Sequence, residues 1–344
     1  MNVLLVGFGT AGKFYLQILR KLNFINKIYI FDNDANKIKK SKYYENINFT
    51  AREILKKNIE YAIIATPSNL HFKYAKILLE QNVNVLIEKP FVLKLADAKR
   101  LIKLTDTKKL KCWVAFQNRH NLAISKLKKI IDSKKIGNIS LIDAALFWCR
   151  DFKYYQVGWR GRYKTDGGVL ANQAIHLLDA LVYVFKKVKK FNFLIDYNKQ
   201  KLEAEDLIVL NLVHEGGPIS SLKATTRADC NYSSSIDVIG ENGRVVVKGI
   251  SLNTFHKFKS NKVINDKKNS ENFESGIGAV GAMGNGHLKI LKEFLNIKNL
   301  KSSKDLEISK NLHVLEIIHS VYNEARRKKK FSLLVRSNQS QLGL

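Results

Sequence analysis

Proline is scarce, with three in 344 residues, and there is no low-complexity tract, which argues against long linkers or disorder. Cysteine is equally scarce. Cys112, Cys149 and Cys230 are odd in number and widely spaced, so neither a disulfide framework nor a metal knuckle is expected, and no metal is assigned. No apolar run approaches the roughly 18 residues of a membrane span, and the first strand begins at Asn2, which leaves no room for a signal peptide. The expectation is a cytoplasmic protein without a membrane partner. Acidic residues number 30 against 59 Lys and Arg, a formal net charge of +29. Such a surface attracts polyanions without regard to sequence. The lysines, however, are spread along every segment and travel with abundant Asn and Ile, as codon bias in an AT-rich genome would produce, so no nucleic-acid partner is expected. The densest run, Arg326 to Lys330, reads as the cap of a helix ending near Asn323, where positive charge complements the helix dipole. What is present is ample for two domains: 45% of the residues are hydrophobic, enough to fill a core.

Val3 to Val6 reads as a buried strand, followed by Gly7-Phe8-Gly9-Thr10-Ala11-Gly12 and a helical pattern with Tyr15, Ile18, Leu19 and Leu22 on one face. Gly7 makes the tight turn, Gly9 lets the backbone approach a pyrophosphate, and Gly12 lets helix and strand pack closely. The orphan amides of the helix then face the phosphates. A second strand, Lys27 to Phe31, ends in Asp32, twenty residues after Gly12, where a carboxylate would hold the adenosine ribose hydroxyls. The same carboxylate would repel the 2′-phosphate of NADP, so NAD is expected even though Lys37, Lys39 and Lys40 lie close by.

The pattern repeats. Tyr61 to Ala65 is a strand that leads through Thr66-Pro67-Ser68-Asn69 to a helix ending near Gln81. Asn84 to Ile87, a helix from about Lys94 to Thr105, and the strand Lys111 to Ala115 follow. Alternating strands and helices imply a doubly wound parallel sheet. Thr66, Pro67 and His71 fall just beyond a strand's carboxyl end; His71 either touches the cofactor or caps and packs a helix. The strand ending at Ile87 runs into Glu88-Lys89-Pro90, at the carboxyl edge where cofactor and substrate would meet. Lys89 is therefore a candidate for chemistry, against the plain alternative of an exposed loop lysine.

After Asn118-Arg119 the character changes. One helix, Ala123 to Ser133, precedes segments of β character at 139–148, 206–213, 219–226, 235–239 and 244–248. Gly240-Glu241-Asn242-Gly243 carries hairpin chemistry, since Asn-Gly accepts positive φ cheaply. These segments imply an open, largely antiparallel sheet with one face covered by helices. Within it, a helix starting at Leu170 would place Asn172, His176 and Asp179 at i, i+4 and i+7, on one face. Such a line either meets a buried substrate hydroxyl, or His176 is satisfied in the core by Asp179. Upstream, Trp148, Arg150, Tyr154, Tyr155, Trp159, Arg160, Arg162 and Tyr163 crowd into sixteen residues. Aromatics stack on sugar or base faces and arginines fork to phosphate or carboxylate oxygens, although a subunit interface is enriched in the same residues.

Oxidising a secondary alcohol needs a hydride acceptor and a group that takes the hydroxyl proton. Histidine suits the second task, and a lysine near NAD⁺ could hold or share that proton. Lys89 and His176 form a plausible pair across the joint.

The chain resembles the Gfo/Idh/MocA family of NAD(P)-dependent sugar oxidoreductases over essentially its whole length. The resemblance is carried by Gly7 to Gly12, Ala65-Thr66-Pro67-Ser68-Asn69-Leu70-His71, Glu88-Lys89-Pro90 and the Gly167 to Asp179 segment. It implies an α/β fold with an N-terminal Rossmann domain, residues 1–120, and a C-terminal α+β domain with an open sheet, residues 121–344. It also implies a homodimer or homotetramer. By resemblance Lys89 is the catalytic lysine and His176 the catalytic histidine, and a cis Lys89-Pro90 bond is expected. Cofactor contacts are assigned to Gly7, Phe8, Gly9, Thr10, Ala11, Gly12, Asp32, Thr66, Pro67, Asn69, His71, Glu88, Lys89 and Gln117. Many members carry aspartate four residues before the histidine, where this chain has Asn172. With Trp148 to Arg150, Tyr154-Tyr155, Gly158 to Gly161 and Asp166 to Gly168, that asparagine resembles the branch that oxidises the 3-hydroxyl of UDP-N-acetylglucosaminuronate or a related nucleotide sugar. Lys89, Arg150, Tyr155, Trp159, Arg160, Asn172 and His176 are the implied substrate contacts. Thr225-Thr226-Arg227 and Gly286-His287 are shorter matches to its substrate pocket. The alternatives are a dehydrogenase of a free sugar or inositol, and a non-catalytic dinucleotide-binding sensor or assembly partner; the presence of both Lys89 and His176 favours the enzyme.

Overall fold

The computed structural model describes residues 1–38, 43–156, 158–196, 202–261, 271–272, 286–295 and 304–327. Lys39, Lys40 and residues 328–330, invoked above, lie outside them. Six strands form the first sheet: β1 (Asn2–Val6), β2 (Lys27–Phe31), β3 (Glu45–Asn46), β4 (Tyr61–Ile64), β5 (Asn84–Ile87) and β6 (Cys112–Val114). Their order is β3-β2-β1-β4-β5-β6 and every pairing is parallel. The cause is visible in the side chains. Val3 to Val6, Ala62 to Ile64 and Val85 to Ile87 are wholly buried, so these strands are apolar on both faces and must be covered on both. Helices α1 (Thr10–Leu19), α2 (Ala51–Lys56), α3 (His71–Glu80) and α4 (Leu95–Lys108) connect them. Strand order reverses between β1 and β4, which opens a crevice at their carboxyl ends.

The helix α5 (Leu122–Asp132), capped by the Asn121 side chain, leads into the second sheet. Its elements are β7 (Ile139–Phe147), α6 (Phe152–Tyr155), α7 (Val169–Asn172), α8 (Ile175–Phe185), β8 (Val188–Asp196), β9 (Leu207–His214), β10 (Ile219–Thr225), β11 (Ser234–Gly240), β12 (Gly243–Gly249), β13 (Thr254–Ser260) and β14 (Glu271–Asn272). The order is β14-β13-β12-β11-β7-β10-β9-β8, antiparallel except for the parallel pair β7–β10. Along β9 the residues alternate strictly between half-buried and buried, with Ile208, Leu210 and Leu212 facing the core. One face is thus covered, and α5 and α8 cover it. The β11–β12 hairpin forms where its turn residues lie, but none of its four residues has positive φ. Gly240 and Gly243 are needed for another reason: a Cβ would sit 2.3 Å from Ile136 O and 2.1 Å from Lys259 O, respectively.

Two C-terminal helices, α9 (Gly286–Phe294) and α10 (Ile308–Arg327), return to the first sheet. Phe294 packs on Tyr61 and Trp113 with ring centroids 5.4 and 5.7 Å apart, and His319 Nε2 lies 3.0 Å from Leu93 O. Helix α10 runs four residues past Asn323, since Glu324 to Arg327 are sound helix formers, so Arg326 sits within its last turn rather than beyond it. Among the described residues no helix is long and apolar enough to cross a membrane.

Candidate active site between the two sheets

The turn after β1 is built as its glycines require. Gly7 has φ +96° and donates its N–H to Phe31 O at 2.7 Å; a Cβ there would meet Ala65 O at 2.7 Å. At Gly12 a Cβ would lie 2.1 Å from Gly7 O, so α1 can approach the turn only without one. Gly9 differs: it is exposed and nothing lies within 4 Å of its missing Cβ, the open space a diphosphate needs in front of the α1 amides. Thr10 is exposed and Ala11 half-buried beside it, while Phe8 is buried, packs on Tyr44, and donates its N–H to Asp32 at 2.7 Å. Asp32 also accepts from Asp34 N–H at 2.9 Å and Lys37 Nζ at 3.3 Å. Partial burial pushes its pKa up, but these donors outweigh burial and hold it below the usual carboxylate range. The chain thus keeps a charged carboxylate at the end of β2.

His71, at the start of α3, is buried, its Nδ1 2.8 Å from Pro90 O and Nε2 2.9 Å from Thr66 O. Its ring therefore ties the loop after β4 to the loop after β5. Pro67 begins the short turn Ser68–Leu70, in which Asn69 is exposed. Lys89-Pro90 is cis. Glu88 accepts from Tyr15 OH at 2.7 Å, and His287 Nε2 lies 3.8 Å away. Burial raises the Glu88 pKa, yet His287, Tyr15 and Lys89 together bring it down to about 2. His287 packs edge-on against Phe14 and Tyr15, on the α1 side of the site. Gly286 is held against Gln117, where a Cβ would meet Gln117 O at 2.1 Å, and Gln117 Oε1 is buried without a partner among the described residues.

Lys89 crosses the joint. Its Nζ donates to the backbone carbonyl of Asn172, at the end of α7, at 2.6 Å. Burial lowers its pKa; Glu88 and Asp166 pull it back up, while Arg150 and Arg160 push it further down. All four therefore lie within electrostatic reach of the ammonium.

The helix expected from Leu170 onward is broken. It ends at Asn172, the chain makes a looser turn in which Ala174 N–H reaches back to Val169 O at 2.7 Å, and α8 begins at Ile175. Asn172, His176 and Asp179 consequently do not act as one line. Asp179 is buried and held by Arg119 through Nε at 3.0 Å and through NH2, so it does not satisfy His176. His176 Nδ1 is buried with no partner among the described residues while the residue is part-exposed, so the accessible edge of the ring lies away from Nδ1. Burial, then Lys89, drive the His176 pKa well below its ordinary value. The Asn172 amide donates at 2.6 Å to both oxygens of Asp166, a buried carboxylate absent from the expected site.

The aromatic and arginine cluster divides. The Arg160 guanidinium stacks over Tyr154 at 3.9 Å and lies 5.1 Å from the Trp159 ring; that of Arg150 lies 4.9 Å from Trp148 and 5.2 Å from Tyr154. Tyr155 OH meets Thr226 Oγ1 at 2.9 Å, and burial pushes the phenol up to about 12. Arg162 is exposed and Tyr163 stacks on Tyr322, outside this group. Arg227 is committed to Asp206 and Asp196. Trp148 Nε1 and Arg160 Nε are buried without partners among the described residues. Sequence reading also missed Glu205. It is buried, its Oε1 accepts from Leu170 N–H at 3.0 Å and Tyr322 OH at 2.9 Å, and a Cβ on Gly168 would strike its Oε2 at 2.0 Å. Burial pushes its pKa up to about 7 against these donors. No local pattern announces a contact between Glu205 and Tyr322, which lie 117 residues apart.

The arrangement sets the glycine turn and the Asp32 carboxylate on one side of a site that also gathers a lysine, a neutral histidine and two arginines, the equipment for moving a proton next to a bound cofactor. Residues 1–116 match the family model described as "Oxidoreductase family, NAD-binding Rossmann fold", and residues 124–246 match the Gfo/Idh/MocA C-terminal domain. The fold is similar to the WlbA dehydrogenase of Bordetella pertussis in complex with NADH and UDP-GlcNAcA, with a TM-score of 0.84 and 24% identity over 95% of this chain and 96% of that one. The WlbA dehydrogenase of Chromobacterium violaceum, with the same two ligands, has a TM-score of 0.79 at 23% identity over 95% and 94%. The myo-inositol 2-dehydrogenase of Thermotoga maritima is 21% identical over 90% of this chain and 91% of its own length. With both halves matched by family models and the glycine turn, Asp32 and the Glu-Lys-Pro loop in place, the chain belongs to the Gfo/Idh/MocA oxidoreductases and carries their NAD-binding Rossmann fold.

Proposed function

We propose that this protein oxidises a secondary hydroxyl, at C3, of a UDP-N-acetylhexosamine or its uronic acid, in the synthesis of surface-polysaccharide sugars. The observation that carries the reading is a pair of buried donors without partners among the described residues: Arg160 Nε, on an arginine within electrostatic reach of Lys89, and Trp148 Nε1, beside Arg150, which lies within the same reach. Buried donors that lack partners cost about 1–3 kcal/mol each, and a polyhydroxylated, anionic ligand supplies partners for them. The WlbA structures of similar fold hold UDP-GlcNAcA with NADH, which supports the same ligand class here.

His176 takes the hydroxyl proton: burial and the neighbouring Lys89 keep its ring neutral at physiological pH, so it can accept one. Lys89, held by the Asn172 carbonyl, positions and polarises the substrate oxygen. Glu88 and the glycine turn hold the cofactor against that point, and when bound the nicotinamide of NAD⁺ accepts the hydride. Arg150, Tyr155, Trp159 and Arg160 grip the rest of the sugar nucleotide, the arginines suiting phosphate or carboxylate. Two arginines beside the lysine also favour this ligand over a neutral free sugar or inositol. A panel of UDP-sugars, free hexoses and inositols, read by NADH absorbance, tests the reading: reduction with a UDP-N-acetyl sugar or its uronate is expected, and reduction with inositol alone would overturn it.

A further inference from the structure

Asn172 is uncharged, yet a carboxylate is present, one contact removed. Asp166 is 2% exposed, buried at the start of the Gly167-Gly168 turn that launches α7. Both its oxygens accept from Asn172 Nδ2 at 2.6 Å, and Gly161 N–H donates to Oδ2 at 3.3 Å. Asn172 in turn offers its backbone carbonyl to Lys89 Nζ at 2.6 Å. The three residues form a continuous chain, from the carboxylate to the Asn172 side chain and from the Asn172 backbone carbonyl to the ammonium, that spans the joint between the two sheets.

We propose that Asp166 is the positioning residue of this site: through Asn172 it fixes both the orientation of the amide facing the cleft and the place and charge of the Lys89 ammonium. The argument is geometric. An amide whose NH₂ is spent on a carboxylate has only its carbonyl oxygen left to present, and Asn172 is part-exposed, so Oδ1 is available as an acceptor for a substrate hydroxyl. An asparagine without such a partner could turn either way and offer a donor instead. Asp166 also places a negative charge within reach of Lys89, an effect that Glu88 shares from the first sheet and that Arg150 and Arg160 oppose. A carboxylate in direct contact with the lysine would compete with the substrate oxygen for its protons. Set back behind Asn172, it favours the charged form of the ammonium and leaves its remaining N–H donors to the substrate. The assignment of Lys89 to a substrate oxygen rests on the proposed function; the Asp166–Asn172–Lys89 chain does not.

The test uses full-length protein carrying Asp166→Asn, an isosteric change, and the double exchange Asp166→Asn with Asn172→Asp, which keeps one carboxylate and one amide in the same contact. The reactivity of Lys89 toward acetic anhydride is followed against pH by peptide mass spectrometry, without any sugar, so the result stands whatever the substrate proves to be. Asp166 raises the Lys89 pKa, so in Asp166→Asn the labelling midpoint moves to lower pH and the rate at neutral pH rises. The double exchange returns it toward the wild-type position. With an active substrate in hand, kcat of Asp166→Asn falls by about 10²-fold, the scale of a misplacement near the reacting atoms, and the double exchange recovers part of it. A midpoint in Asp166→Asn that coincides with wild type overturns the proposal. Should that variant fail to fold, the double exchange decides alone: a midpoint at the wild-type position supports the proposal and one shifted to lower pH overturns it.

Discussion

The two walls of the crevice are finished to different degrees. On the wall built by the first sheet, the ionisable groups are already paired within the chain, and of the expected cofactor contacts Gln117 alone keeps a buried side-chain oxygen unmatched among the described residues. Asp32 has three donors, Glu88 has Tyr15 and His287, and both nitrogens of His71 face carbonyls. On the opposite wall, Trp148 Nε1 and Arg160 Nε are buried and unmatched among the described residues. The first wall is preorganised for one cofactor, while the second is held in place by distant residues, among them Glu205 and Tyr322, and left incomplete for a ligand to finish. Binding of the dinucleotide should therefore reorganise little, whereas much of the affinity for the second ligand should come from satisfying these groups.

The contrast can be broken most forcefully at His176. Replacing it with alanine should lower kcat by about 10²- to 10⁴-fold with little change in KM or in NAD affinity, read by steady-state kinetics and cofactor fluorescence. Next in size is Glu205→Gln. Burial pushes the folded-state pKa of Glu205 up to about 7, above the ordinary glutamate value of 4.5, so its contribution to stability is present below that lower value and is lost as pH rises through 7. Wild type should lose a few kcal/mol of stability between pH 5 and pH 8 from this group, and the glutamine variant should lack that part of the fall in a melting curve. Arg160→Ala should raise KM by about 10- to 100-fold, the worth of one hydrogen bond to a charged group, with kcat nearly unchanged. Smallest is Asp32→Ala, which should narrow the preference for NAD over NADP by about tenfold in a fluorescence titration; a wild type that binds NADP more tightly would contradict the role given to Asp32.

Legibility followed the same division. The first wall could be read because its signals are local: a glycine pattern between strand and helix, a carboxylate at a fixed spacing, and apolar runs that parallel strands require. The second wall hid its mechanics. The helix of Leu170 to Asp179 kept its apolar pattern across a break that only the backbone shows, so Asn172 and His176 were aligned wrongly with Asp179. Asp166 was visible as part of a motif but not as a partner of Asn172. Strands β8 and β13 escaped notice because each carries lysines on a half-exposed face and neither has the alternation seen in β9.

The central claim is that the crevice moves hydride from C3 of a nucleotide sugar to NAD⁺ while His176 takes the proton. UDP-N-acetylglucosaminuronate deuterated at C3, incubated with the enzyme and NAD⁺, tests it most directly through the mass of the recovered dinucleotide. The account predicts NADH carrying one deuterium from the wild type and almost none formed by His176→Ala; unlabelled NADH, or equal yields from both proteins, would contradict it.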